Sequence, residues 1–290
     1  MRTCRFSYTK ALCSWRLLAL LLASIYLSPA QAVNVVYPGT GGDAYTTVLL
    51  KHVLSYSPEK HYKAVPFGVD IPKGRNFDLM ANHDGIDVVA GGSTLVRESK
   101  YQAIHFPILK GLNGWRMALV RKDNKDLFLH IATLPQFKRL KPGQFHSWSD
   151  TKVFRANDIQ VVTASDYEGL FGMLVKGRFD YFPRSVLEIS RELEAHKDLN
   201  IVIEPGVLIH YPTAYYYYVS KENKQLATDI RKGLEAALQD GSFDRLFMQF
   251  YGDEVKAVVG TNRRIFELEN PHLSKETPLE RKELWLDLSQ

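Results

Sequence analysis

Arg184 stands in the run GRFDYFPRSVLEIS, residues 177–190, among Phe179, Tyr181, Phe182, Val186, Leu187 and Ile189. A guanidinium keeps its charge at physiological pH and is costly to bury alone, so an arginine in so apolar a stretch requires a negative partner. One candidate is an anionic group of a ligand, gripped by the planar fork with Ser185 beside it. The other is Glu188, four residues on, which would pair with Arg184 on a helix beginning near Pro183, because proline suits a first helical turn.

Other polar groups sit at strand-to-helix turns. In IDVVAGGST a buried-type strand enters a Gly-Gly turn, so the hydroxyls and backbone N–H groups of Ser93 and Thr94 either face a ligand oxygen together or cap the next helix. Thr163 and Ser165, in VVTASDYEGLF, repeat that arrangement, with Asp166 suited to the first helical turn. Tyr37, at the end of the first strand, offers an aromatic wall or a hydroxyl.

These groups suit binding better than bond-breaking. The nine histidines form no His-x-x-x-His pair with an acidic partner, so no metal is expected. There is no Gly-x-Ser-x-Gly elbow and no phosphate loop ending in Gly-Lys-Ser/Thr, and PGTGGDAY lacks the spacing of a dinucleotide turn. No cofactor and no catalytic residue are expected.

The elements that must position these turns alternate. VNVVYPG, YKAVPF and GIDVVAGGST read as strands, separated by helices near DAYTTVLLKHVLSYS, with Asp43 as its N-cap, and GRNFDLMAN. A second series begins at GWRMALVRK and includes TLPQFKRL, a short helix after a Thr cap, and the strands and helices of residues 159–203. AYYYYVSKENKQLATDIRKGLEAALQDGSFDRLFMQFYG then supplies a strand and two helices. In the tetrad Tyr215 to Tyr218, alternate side chains face opposite sides, which predicts core and hinge packing. Strands alternating with amphipathic helices indicate α/β units with mainly parallel sheets.

The first 32 residues read as a secretory leader: Arg2, Arg5, Lys10 and Arg16 precede the apolar run LLALLLASIYL, and small residues surround the expected cleavage after Ala32. Taking these four from the 37 basic residues leaves 33 against 32 acidic, so nucleic-acid binding loses its electrostatic prompt. Cys4 and Cys13 both fall in the leader, which leaves the remaining chain without a thiol. Export to a periplasm fits this composition.

The element order and several motifs resemble the periplasmic solute-binding proteins of family 3, which serve polar amino-acid ABC transporters and have the two-lobed type II periplasmic-binding fold. The resemblance rests on YP after the first strand, IDVVAGGSTLVRESKYQAIHFPI, LVKGRFDYFPRSVLE and LATDIRKGLEAALQDGSFDRLFMQFYG, and spans Val33 to about Gly252. It implies a leader at 1–32, lobe 1 at 33–115, lobe 2 at 116–216, a return strand and closing helices at 217–261, and a charged C-terminal extension at 262–290. Crossings would fall near Gly114–Met117 and Tyr215–Val219. It also implies a ligand held in the interlobe cleft by Tyr37, Ser93, Thr94, Arg97, Thr163, Ser165, Arg184 and Ser185. Arg97 occupies the segment of the family's carboxylate-binding arginine, although the spacing to Phe106 would select Lys100 instead. Where amino-acid binders commonly carry a carboxylate, this chain has Arg184, which shifts the expectation toward an anionic solute. The implied protein is a monomeric solute receptor working with an ABC permease. The alternatives are a sensor acting on a membrane receptor and a dehydratase-like enzyme on the same scaffold.

Overall fold

A computed structural model describes residues 32–286; residues 1–31, on which the expectation of a leader with Cys4 and Cys13 falls, and residues 287–290 lie outside the described residues. The first elements in chain order are β1 (Val33–Tyr37), α1 (Tyr45–Leu54), β2 (Tyr62–Pro66), α2 (Lys73–Ala81), β3 (Val88–Gly92), α3 (Leu95–Lys100) and β4 (Gln102–Ile104). There follow β5 (Trp115–Arg121), α4 (Leu134–Phe137), β6 (Gly143–Phe145), α5 (Ser149–Ala156), β7 (Val162–Ala164), α6 (Tyr167–Val175), β8 (Phe182–Ser185) and α7 (Ile189–Ala195). The last are β9 (Ile201–Ile203), β10 (Val207–His210), β11 (Tyr215–Val219), α8 (Lys224–Gln239), α9 (Ser242–Val258) and β12 (Arg264–Glu267). No helix among the described residues is long and apolar enough to cross a membrane.

The elements gather into two lobes. In lobe 1, β1 and β2 pair in parallel, and β11 enters antiparallel between β3 and β4. Asp87 joins the two groups of strands: its N–H donates to Val36 O at 2.9 Å, and its carboxylate accepts from Val36 N at 2.7 Å. In lobe 2, β5 is central and pairs antiparallel with β8, β9 and β10, while β6 and β7 pair in parallel. The chain leaves lobe 1 through residues 105–114 and returns through 211–214, between β10 and β11.

Periodicity explains the packing. Tyr45, Leu49, Leu50, Val53 and Leu54 recur at helical spacing and bury one face of α1 against Leu226, Ile230, Leu234 and Ala237 of α8. Each such aliphatic side chain contributes roughly 1.5–3 kcal/mol on full burial. The two helices meet at Gly233, where a Cβ would fall 2.1 Å from Val53 O. Tyr216 and Tyr218 pack on one side of β11 with Phe77, Met80 and Tyr101, and Tyr217 lies on the other, in the main core.

The expectation of mainly parallel sheets does not hold: β11 runs antiparallel to β3 and β4, and β5 antiparallel to β8, β9 and β10, because the crossing strands enter each sheet against its other strands, so both lobes are mixed. Two local expectations are also overturned. Pro183 and Arg184 lie within β8, opposite Ala118 and Met117, and the next helix starts only at Ile189. Proline is accommodated there because β8 is paired by β5 on one side of these residues, with no second strand laddered to them. Asp43 is not the cap of α1, because Ala44 takes that position without a side-chain hydrogen bond.

Residues 262–286 of the extension reach both lobes. β12 adds in parallel to β10, and Phe266 and Leu268 enter the lobe 2 core. Asn157, buried in lobe 2, donates to Glu269 O at 2.7 Å and accepts from Glu269 N at 3.0 Å. The chain then runs to lobe 1, where Tyr216 donates to Thr277 Oγ1 at 3.1 Å and Arg281 grips Glu235 of α8 through two bonds of 2.7 and 2.9 Å.

Candidate functional site

Two adjoining cavities share Arg97. The first, about 350 Å³, lies within lobe 1 where the ends of β1 and β3 meet α1 and α2. Tyr37, Asn76, Phe77 and Tyr215 wall it, and Asn76 Oδ1 is buried there without a hydrogen-bond partner. The second, about 600 Å³, lies between the lobes, with Ser93, Thr94 and Arg97 on one side and Arg116, Arg184 and Ser185 on the other. Trp148, Asp150, Lys152 and Glu188 complete the lobe 2 wall.

Arg97 extends from α3 over the Phe77 ring, its guanidinium carbon 4.4 Å from the ring centroid, and donates one hydrogen bond to Gly92 O. It has no carboxylate partner among the described residues. A guanidinium held by an aromatic face and one carbonyl keeps donors for a further anion.

Arg116 projects from β5 between Trp115 and Met117, in a strand whose other side chains are almost all buried. Its Nη2 donates to Asp150 Oδ1 at 2.9 Å, and Tyr211 gives its hydroxyl proton to the same oxygen at 2.6 Å. Its Nε is buried with no acceptor. Burial would lower the pKa of this group, but Asp150 and Tyr211 outweigh it and raise it, so Arg116 stays charged.

Arg184 reaches the cleft wall with its charge already paired. Nε donates to Glu192 Oε2 at 2.6 Å, Nη2 to Glu192 Oε1 at 2.5 Å, and Nη2 also to Glu188 Oε2 at 2.9 Å. Its guanidinium carbon lies 4.5 Å from the Trp148 ring centroid. Burial alone would raise the carboxyl of Glu192; the hydrogen bonds and charge of Arg184, with the Tyr167 hydroxyl, hold it below the usual carboxylate range. Sequence spacing points to Glu188; the dominant partner is Glu192, because the late start of α7 turns that residue back toward β8.

The hydroxyls have local duties. Thr94 caps α3 by accepting from Arg97 N at 3.1 Å, and Ser93 donates to Glu98, whose other oxygen meets His105 Nε2 at 2.8 Å. Ser185 Oγ accepts from Leu187 N at 3.3 Å. Thr163 and Ser165 are not brought into the cleft; they line a separate lobe 2 cavity with Asp166, which caps α6 through Gly169 N at 3.0 Å. Lys100 lines neither cavity, so of the two lobe 1 cations only Arg97 faces the cleft.

Arg116, Asp150 and Trp148 are absent from the sequence-based candidates. The signal for Arg116 is the same as for Arg184, an arginine inside an apolar strand, but the stretch Gly114–Met117 reads as a crossing. Asp150 has no local pattern, since its partners Arg116 and Tyr211 are 34 and 61 residues away.

Comparison with solved structures gives a consistent architecture. The chain is similar to a probable amino-acid ABC transporter extracellular-binding protein of Bacillus subtilis, at 18% identity and a TM-score of 0.56 over 77% of this chain and 99% of that one. It is similar to a histidine kinase sensor domain with similarity to periplasmic binding proteins, at 12% identity and a TM-score of 0.52 over 76% and 96%. An ancestral arginine-binding protein bound to arginine shares 17% identity, with a TM-score of 0.50 over 76% and 98%. No protein-family model matches the sequence, and no curated protein matches it. At these identities what is shared is the fold, and that fold is the two-lobed α/β type II periplasmic-binding fold.

Proposed function

We propose that the chain is a solute receptor that captures a small anionic or amino-acid-like molecule in the interlobe cleft and, exported to the periplasm, presents it to an ABC-type importer. The observation that carries this reading is the convergence of Arg97 and Arg116 on one cavity from opposite lobes. Arg97 lacks a carboxylate partner among the described residues and keeps donors for an anion, and Arg116, charged and held by Asp150, faces it from the other lobe. Arg184, neutralised by Glu188 and Glu192, shapes the wall and holds Trp148 rather than supplying free charge. A ligand touching both lobes favours the closed arrangement, the basis of hinge closure in such folds. Likeness to a kinase sensor domain supports a second reading of the same cleft, in which closure is read by a membrane receptor.

The test is a thermal-shift screen of the protein against amino acids, dicarboxylates, keto acids, short peptides and sugar acids. A ligand at a hundred times its dissociation constant adds about 2.7 kcal/mol, a shift of several degrees at this size. A shift confined to anionic compounds and lost in Arg97→Ala supports the reading. No shift across the panel would overturn it.

A further inference from the structure

We propose that the carboxyl-terminal segment, residues 268–286, is a further interlobe connection that clasps the hinge and sets how far the cleft opens. The inference takes the cleft as the binding site, as above, but its test needs no ligand, so the two can fail separately.

The segment is anchored at both ends and in the middle. Its start is fixed in lobe 2 by Leu268 in the core and by the reciprocal pair between Asn157 and Glu269. Asn270 then donates to Pro212 O at 2.8 Å, on the returning crossing, and with His272 closes the far end of a side chamber of about 180 Å³ that shares Ser93, Thr94 and Asp150 with the cleft.

The far end seats on the other crossing. Lys110 and Gly111 both adopt left-handed backbone, with φ of 48° and 71°. Lys110 O accepts from Leu286 N at 2.8 Å, and Lys110 Nζ donates to Glu283 O at 2.8 Å and to Asp244 Oδ1 at 2.7 Å. The Trp285 ring covers Gly111, where a Cβ would come within 2.5 Å of it, and Leu284 is fully buried.

A hinge works by changing φ and ψ at a few crossing residues. Lys110 and Gly111 are such residues, and the segment holds the backbone of one and covers the other. The crossings at 105–114, at 211–214 and, between α9 and β12, at 259–263 are single passes of chain about which the lobes can swing; a further span, fixed to the core of one lobe and to the hinge turn of the other, limits that swing. Wide opening must lift Trp285 and Leu286 from the hinge or pull Glu269 from Asn157.

The experiment severs the span without removing it. A specific protease site is inserted between Lys275 and Glu276, both exposed, in the full chain carrying Cys4→Ser and Cys13→Ser. Spin labels on Val69→Cys in lobe 1 and Leu129→Cys in lobe 2, which are 52% and 67% exposed, report the interlobe distance by pulsed electron resonance. Cleavage breaks the tether whether or not the short carboxyl-terminal fragment stays on lobe 1. The expected result is a narrow distribution in the chain without the insertion, and a broader one reaching longer distances after cleavage. The same distribution in the severed and unsevered chains would overturn the proposal. A second pair of variants guards against an effect of the insertion: Arg281→Glu should broaden the distribution, and Arg281→Glu with Glu235→Arg should narrow it again. Broadening that this charge exchange fails to reverse counts against the clasp.

Discussion

Arg184 and Glu192, eight residues apart, share two hydrogen bonds, and the side chains on both sides of the pair are largely buried. Two strongly polar groups are thus held in the lobe 2 wall by mutual satisfaction, and removing either leaves the other stranded.

Arg184→Ala is expected to destabilise the protein by about 3–5 kcal/mol, because an unpaired buried carboxylate remains. Arg184→Met combined with Glu192→Leu should recover most of that loss, since both charges go together. Urea denaturation of the two single variants and the double variant measures the coupling; purely additive losses would remove the pair from the account of lobe 2 stability.

Glu192 is held below the usual carboxylate range, so the folded state takes up its proton less readily than the unfolded chain. Its contribution is complete above the unfolded value of about 4.3 and is lost as pH falls through the lower folded value. The stability difference between the native protein and Glu192→Gln should therefore hold steady above about pH 5 and shrink below it. A difference indifferent to pH would mean that the charge of Glu192 adds nothing.

His196 moves the other way. Burial would lower it, but its bond to Glu168 at 2.9 Å and its contact with Glu192 O raise it above the ordinary imidazole value. The stability it contributes is present below about pH 6.5 and is lost as pH rises through the folded value. Proton NMR titration should show that upward shift, and Glu168→Gln should reverse much of it.

Arg97→Ala should weaken binding of whichever anionic compound shifts the melting curve by about 10- to 100-fold, the worth of a charged hydrogen bond. Its effect on stability should be small, about 1 kcal/mol from the lost contact with Phe77. Arg116→Ala should lose affinity comparably but also destabilise, since Asp150 loses its cationic partner and keeps only the hydrogen bond from Tyr211. Calorimetric titration with parallel melting curves separates the two.

Gly111→Ala places a methyl within 2.5 Å of the Trp285 ring at a left-handed position. A loss of at least about 1 kcal/mol is expected from the backbone alone. Acrylamide quenching should find Trp285 more accessible than in the native protein.

Much of this was legible in order and alternation. The strand-to-helix turns at Ser93 and Thr94 and the sidedness of the tyrosine tetrad follow from local periodicity, which the sequence carries directly. Arg184 announced its need for a negative partner, but Glu192 became that partner through a helix boundary, and boundaries depend on tertiary pairing. Arg116 was hidden because Trp115 and Met117 beside it read as a crossing. The extension reads as charged chain, since the alternation of Phe266 and Leu268 is too short to mark a strand among so many charges and Leu284 and Trp285 stand apart from it. Its anchors are defined only by the niches they fill.

The position of β12 and the hinge clasp late in the chain also bears on how the molecule is made. Lobe 1 lacks its inserted strand until Tyr215–Val219 has emerged, and lobe 2 lacks an outer strand until Arg264–Glu267 follows. Neither sheet can be completed in the order of synthesis, so both lobes mature together, after their long-range pairings close. Such contacts are slow to form and leave strand edges open meanwhile.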